Sequence, residues 1–176
     1  IQVSSNLLSA VIAKFEPRIG ERYIAFDLLY PLLMQSSNQA ASLLAGFLGK
    51  DSFVENMNKK AMSIGMTQSH FADPSGVSAQ NESSAKDFLK LLQYIYIKRN
   101  FLFDISKGKE YTTTGKLHAT DLANYNEFAL DSRLVGMKNG ETSAAGQTLA
   151  SVWEFITPSG RLPVAIIILG SRDRES

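Results

Sequence analysis

Apolar positions recur at helical spacing through the first half of the chain and change to strand-like runs in the second. Asp27 is placed to cap a short segment over 28–34, with Pro31 confining it to a first turn or a kink. Asn38 or Ser36 opens a second segment over 40–48, rich in Ala and Leu and closed by Gly49. Asp51 starts a third, in which Phe53, Val54, Met57 and Ala61 fall on one face and Gly65 ends the run. Residues 68–82 (QSHFADPSGVSAQNE) have loop composition. Ser84-Ala85-Lys86-Asp87 reads as a capping box before an amphipathic helix that turns Phe88, Leu91, Leu92 and Ile95 inward.

Beyond that helix the period becomes two. Residues 111–114 and 146–156 are strand-like, Thr157-Pro158-Ser159-Gly160 is a turn, and 164–169 is a continuous apolar run that fits a strand buried on both faces. The last hairpin is therefore expected in the middle of a sheet. Asn139-Gly140 is by itself a strong hairpin-turn signal, because both central residues of a type I′ turn need positive φ. The expected organisation is a single α+β domain over 1–176, mainly helical over 27–97 and mainly sheet over 111–171.

Composition adds bounds. The chain has 176 residues, 44% of them hydrophobic and 20% charged, with a formal charge of +1; no global field draws it to nucleic acid or anionic lipid. The stretch 98–116 is locally basic and reads as a solvated face. With no cysteine, disulfides and thiolate chemistry are excluded. His70 and His118 lack metal-ligand spacing, no phosphate loop follows a strand, and no metal or cofactor is expected. No apolar run is long enough for a membrane span. The chain opens on Ile1 and closes on Arg174-Glu175-Ser176 soon after an apolar strand, as an excised piece of something longer would.

Several motifs agree with one another in order. Gln35-Ser36-Ser37-Asn38-Gln39-Ala40 resembles the Ser-x-Asn segment of the penicillin-binding D-alanyl-D-alanine carboxypeptidases. Asn56-Met57-Asn58, His70-Phe71, Asp73-Pro74-Ser75-Gly76 and Ser83-Ser84-Ala85-Lys86-Asp87 are similar to that family's next helix, loop and helix start. Asn124-Tyr125-Asn126 and Val135-Gly136-Met137-Lys138-Asn139-Gly140-Glu141-Thr142 resemble its approach to the Lys-Thr-Gly strand. The likeness is collinear from about Ser5 to Arg174.

The resemblance implies a β-lactamase/transpeptidase-like fold, an antiparallel sheet flanked by helices beside a mainly helical subdomain. It also implies acyl transfer through a serine ester, with stem peptides ending in D-Ala-D-Ala as substrate and β-lactams as acylating ligands. Carried over by position, Ser36 is a proton relay, Asn38 an orienting amide and Lys138 the cleft cation. Ser37, Asn139, Gly140, Glu141 and Thr142 fall in substrate-binding positions, with the Glu141 N–H serving the oxyanion. On this reading Lys138-Asn139-Gly140 is a strand edge and not a hairpin tip. The family works outside the cytoplasmic membrane, so a periplasmic or extracellular place at the cell envelope is implied, with any membrane anchor outside this segment.

Two departures stand out. Asn139 replaces a threonine or serine, bringing an amide with a carbonyl as well as a donor. The nucleophilic Ser-x-x-Lys is also absent from the 35 residues before Ser36. A match, Ser83-Ser84-Ala85-Lys86, lies downstream, where the family has an ordinary helix start. The expectation is a domain truncated at both ends, lacking its first strands, nucleophile helix and closing helix. The remainder would come from a longer chain, or exposed edges would promote swapping or oligomerisation. The rival reading is a non-catalytic module that binds stem peptides.

Overall fold

A computed structural model describes residue 2 and residues 15–172; Ser5, Arg174 and the closing Glu175-Ser176 lie outside the described residues. Among the described residues five helices precede a three-stranded sheet: α1 Leu29–Met34, α2 Asn38–Leu48, α3 Lys50–Ser63, α4 Ala85–Lys98 and α5 Phe101–Ser106, then β1 Leu134–Thr142, β2 Gly146–Thr157 and β3 Gly160–Ser171. A 3-10 turn lies at Ala119–Asp121. The strands are antiparallel in the order β1-β2-β3.

Register sorts the sheet residues into two rows, because side chains alternate along a strand. Ala150 and Val152 of β2 lie beside Ile167 and Ala165 of β3. These four pack with Leu92 of α4 and Phe103 of α5, flanked by Phe88 and Ile95, so the inward face read for α4 is the one that meets the sheet. Gly136 sits where β1 crosses α5: a Cβ there would lie 2.4 Å from the Phe103 Cβ, too close for any other residue. A second cluster, Phe15, Leu28, Ala40 and Leu43, joins α1 and α2, and a third gathers Tyr30, Met34, Ile105 and Ala119. Each fully buried leucine in these clusters contributes roughly 2 kcal/mol of apolar burial.

Several expectations are corrected. Asp27 does not cap α1 through its side chain. Leu28 is the N-cap and no side-chain cap bond is made. The Asp27 backbone carbonyl accepts from Tyr30 N–H, while the carboxylate points inward against Gly115, fully buried, with no hydrogen-bond partner among the described residues. The cap of α2 is Ser37, whose hydroxyl accepts from Ala40 N–H at 3.1 Å, not Ser36 or Asn38. At α4, Ser84 accepts from Asp87 N–H, but the Asp87 carboxylate leaves the box for Gln68 N–H at 2.6 Å, Ser69 Oγ at 2.9 Å and Lys90 Nζ at 3.0 Å. Burial acts to raise the Asp87 pKa, yet these donors hold it below the ordinary carboxylate value.

Residues 111–114 form no strand, and the sheet begins at Leu134. The reason is a distant phenol. The Tyr30 hydroxyl accepts from Tyr111 N–H at 3.0 Å and donates to Tyr111 C=O at 3.2 Å, taking the place of a strand partner. The run over 164–169 is a strand, but not a doubly buried one: β3 is an outer strand of the described sheet, with Ile166, Ile168 and Leu169 exposed. The turn at Pro158-Ser159 is as expected, with Thr157 Oγ1 donating to Gly160 C=O at 2.7 Å.

Candidate active site

Ser36 lies in the three-residue connection between α1 and α2. Its φ of 56° is the left-handed conformation that glycine or asparagine favours after a helix. Such a conformation in serine costs on the order of 1 kcal/mol. The turn is held on both sides, since Gln35 and Ser37 N–H groups both donate to Pro31 C=O, at 3.1 and 3.0 Å. Ser37 is buried and its hydroxyl is committed to the cap, so it does not present that group to a ligand. Ser36, between two fixed neighbours, is exposed.

Lys138 comes from β1, 102 residues later, and donates from Nζ to Ser36 Oγ at 2.8 Å. Lys138-Asn139-Gly140 is paired in the strand with Ala150, Leu149 and Thr148; the chain reverses later, between Thr142 and Gly146. The Asn-Gly pair is therefore not a turn. Lys138 Nζ also donates to the Asn139 carbonyl. Burial pushes its pKa down to about 8, because a desolvated ammonium loses hydration that two neutral oxygens replace only in part. A lysine near that value exchanges a proton with a bonded hydroxyl far more readily than an ordinary surface lysine.

The pairing is held by a polar network that motif reading did not single out. Ser106, at the end of α5, accepts from Met137 N–H with its hydroxyl at 3.1 Å, fixing the residue next to Lys138. Its carbonyl accepts from the side-chain amides of Asn124 at 3.0 Å and Asn126 at 2.6 Å. Asn126 Nδ2 also donates to Leu33 C=O, and Tyr125 N–H to Met34 C=O at 2.9 Å. The end of α1, and Ser36 with it, is thereby tied to the segment of β1 that carries Lys138. The Asn-Tyr-Asn triplet is visible in the sequence, but nothing local marks Ser106 as the residue that joins α5 to β1.

The other predicted residues divide. Asn38 is the first residue of α2, half-buried. Asn139, Gly140 and Glu141 line a cavity of about 420 Å³ together with Ser36, Leu149 and Ile168. A Cβ on Gly140 would sit 3.1 Å from Thr148 Oγ1, which donates to the Gly140 carbonyl. Thr142 stands apart, its Oγ1 accepting from Ala145 N–H at 3.0 Å in the hairpin turn. The Ser-x-x-Lys match at Ser83 is structural: Ser83 Oγ is bonded to Ser69 Oγ at 2.8 Å, Ser84 caps α4 and Lys86 is exposed. A second such spacing, Ser106-Lys107-Gly108-Lys109, is also structural, its hydroxyl donating to Phe103 C=O and accepting from Met137 N–H. His70 and His118 are both exposed.

The sequence pattern of the D-alanyl-D-alanine carboxypeptidases matches residues 8–172. The chain belongs to that family. It is 32% identical over 170 residues to a D-alanyl-D-alanine endopeptidase of Escherichia coli K12, covering 86% of this chain and 49% of that protein. Its fold is similar to the crystal structure of a D-alanyl-D-alanine carboxypeptidase from Mycobacterium tuberculosis H37Rv, with a TM-score of 0.79 and 26% identity over 96% of this chain and 64% of the other. It is also similar to penicillin-binding protein D2 of Listeria monocytogenes in its cefotaxime-bound form, with a TM-score of 0.66 and 27% identity over 86% of this chain and 60% of that one. The fold is thus α+β and transpeptidase-like. The chain spans about half the length of the curated relative and under two thirds of each solved structure.

Proposed function

We propose that the protein carrying this chain is a serine-type D,D-peptidase of the cell envelope. It cleaves after the penultimate D-alanine of peptidoglycan stem peptides through an acyl-serine. The observation that supports this best is the Ser36–Lys138 bond. A serine hydroxyl on a desolvated lysine, open to a cavity, is a device for moving a proton to or from a reacting group. Ser36 serves as the relay that delivers a proton to the leaving amine, and Lys138 supplies the positive potential at which the substrate's terminal carboxylate docks. Asn38 orients the substrate amide. Asn139 faces the carboxylate through its Nδ2, since its carbonyl oxygen there would repel an anion. The Glu141 N–H serves the oxyanion, and Gly140 lets the substrate backbone approach.

The nucleophile is not among these residues, so the test must include whatever supplies it. Penicillin is added to the protein expressed from its complete coding sequence, and the adduct is read by intact-mass spectrometry. One penicilloyl group is expected, acquired at least tenfold more slowly in Ser36→Ala and Lys138→Ala. A protein that stays unlabelled while still binding an acetylated D-Ala-D-Ala peptide would be a stem-peptide binding module, and the enzymatic reading would fall. One solved relative, penicillin-binding protein D2 of Listeria monocytogenes, supports the choice of probe, since it has been seen in both a cefotaxime-bound and an ampicillin-bound form.

A further inference from the structure

The cavity beside Ser36 has a chemistry that a docked carboxylate does not account for. Along β1, residues Met137, Asn139 and Glu141 share one row, and the register sets them opposite Ser151, Leu149 and Gln147. Leu149 is in turn opposite Ile168 on β3. The cavity therefore has an apolar floor, made by Met137, Leu149 and Ile168 and flanked by Phe128. Its rim carries the carboxylates of Glu141 and Glu127, and no lysine or arginine side chain is among its lining residues. The site's cation, Lys138, is engaged with Ser36 Oγ and the Asn139 carbonyl. The slot has an apolar strip along its floor, polar side chains of Asn139, Gln147 and Thr148 beside it, and an anionic edge.

An aliphatic stem ending in a primary ammonium fits such a slot. Its methylenes cover the floor while the charged head stays at the wetted rim beside a carboxylate. A second carboxylate of the ligand would meet like charge there. We propose that Glu141, with the floor of Met137, Leu149 and Ile168, seats the free side-chain amine of a basic residue in the peptide substrate. Peptides whose amine is free are then preferred to peptides in which it is acylated. This rests on the stem-peptide reading of the cleft and adds the position that discriminates among such peptides. Glu141 here is a specificity-determining side chain, distinct from the backbone N–H assigned to the oxyanion.

The test titrates the protein expressed from its complete coding sequence, by NMR chemical-shift changes, with Nα-acetyl-L-Lys-D-Ala-D-Ala and with its Nα,Nε-diacetyl counterpart. The free amine is expected to bind about fivefold more tightly, the size an exposed ion pair supports. The ratio should fall to near one in Glu141→Gln and at high salt. It should persist in Glu55→Gln, a control at an exposed ion pair of α3. Equal binding of the two peptides to the unmodified chain, or a ratio that survives Glu141→Gln, overturns the amine seat and leaves the stem-peptide reading standing. If neither peptide binds the unmodified chain, both fall.

Discussion

Two connections solve opposite problems, the long Asp73 loop between α3 and α4 and the three-residue Ser36 turn between α1 and α2. In the first, one carboxylate organises everything around it. Asp73 Oδ1 accepts from Ser75 N–H, Ser75 Oγ and Gly76 N–H at 2.6 to 2.7 Å, and Oδ2 accepts from Ser78 N–H and Asn81 Nδ2, each at 2.7 Å. Burial acts to raise the Asp73 pKa, but these donors hold it far below the ordinary carboxylate range. In the second connection a serine sits at φ 56° and takes its bond from a lysine whose charge is partly desolvated. The Asp73 loop has its strain removed by hydrogen bonds. The Ser36 turn retains strain and an unfavourable charge at the edge of a cavity. Such residual cost at a cleft is characteristic of sites whose groups are arranged for a reacting molecule and not for stability.

The largest effect expected lies in the satisfied loop. Asp73→Ala removes the acceptor for these five close donors and a longer one from Val77 N–H, and after allowing for water that reaches this half-exposed loop it should cost about 2 kcal/mol of unfolding free energy. The contribution has a defined pH dependence. A carboxylate with a depressed native pKa stabilises fully above its unfolded value near 4 and loses that contribution as pH falls toward the native one. Urea unfolding of the two proteins should therefore differ most at pH 5 and above, with the gap narrowing toward pH 2. A gap that stayed constant would mean that Asp73 acts by shape alone.

Lys138→Met should go the other way. Removing a half-buried ammonium lifts the cost of its desolvation, and subtracting the lost bonds to Ser36 and the Asn139 carbonyl leaves a gain of about 1–2 kcal/mol at pH 7. The sign follows from the lowered pKa of about 8. Below pH 8 native and unfolded Lys138 are both charged, and the native protein bears the full cost. Between there and the unfolded value near 10.5 the native state releases its proton first, so the unsubstituted protein regains stability and the advantage of methionine shrinks. Thermal melts across pH 7 to 10 read this directly. An unchanged or lower melting temperature at pH 7 would show Lys138 to be a structural cation, and the contrast between the two connections would disappear.

The parts of this contrast that were legible in the sequence are those encoded locally. The helices α2 to α4 follow from apolar period and from Gly49 and Gly65, and Lys138-Asn139-Gly140 follows from motif order once the Asn-Gly turn signal is overridden. Capping was less legible, because Ser36, Ser37 and Asn38 are three good capping side chains in a row and only the backbone path selects Ser37. Residues 111–114 read as a strand from their β-branched and aromatic content but form none, because a phenol 81 residues away, and not a neighbouring strand, satisfies Tyr111. The run over 164–169 misled for a related reason: apolar content does not report whether a second neighbour lies beside the strand. Ser106 was silent for the same reason, since its use is to join α5, the Asn-Tyr-Asn segment and β1, which are brought together only by the fold.

The smallest effect isolates the strain itself and needs two substitutions at one position. Ser36→Ala and Ser36→Gly both remove the hydroxyl that accepts from Lys138, so both leave the lysine with one bond fewer and both should impair acylation equally. They differ only in the backbone. Alanine keeps a Cβ in the left-handed region, whereas glycine adopts φ near 56° freely but is more disordered when unfolded. The steric relief of roughly 1–2 kcal/mol exceeds the entropic loss of roughly 0.5–1 kcal/mol, so Ser36→Gly should be more stable than Ser36→Ala by something under 1 kcal/mol. Equal stabilities in denaturant unfolding would mean that the turn relaxes once the hydroxyl is gone, making the Lys138 bond the cause of the strained conformation. The predicted difference would mean that the Pro31 bonds on either side impose it, and that Ser36 is held toward the cleft before any ligand arrives.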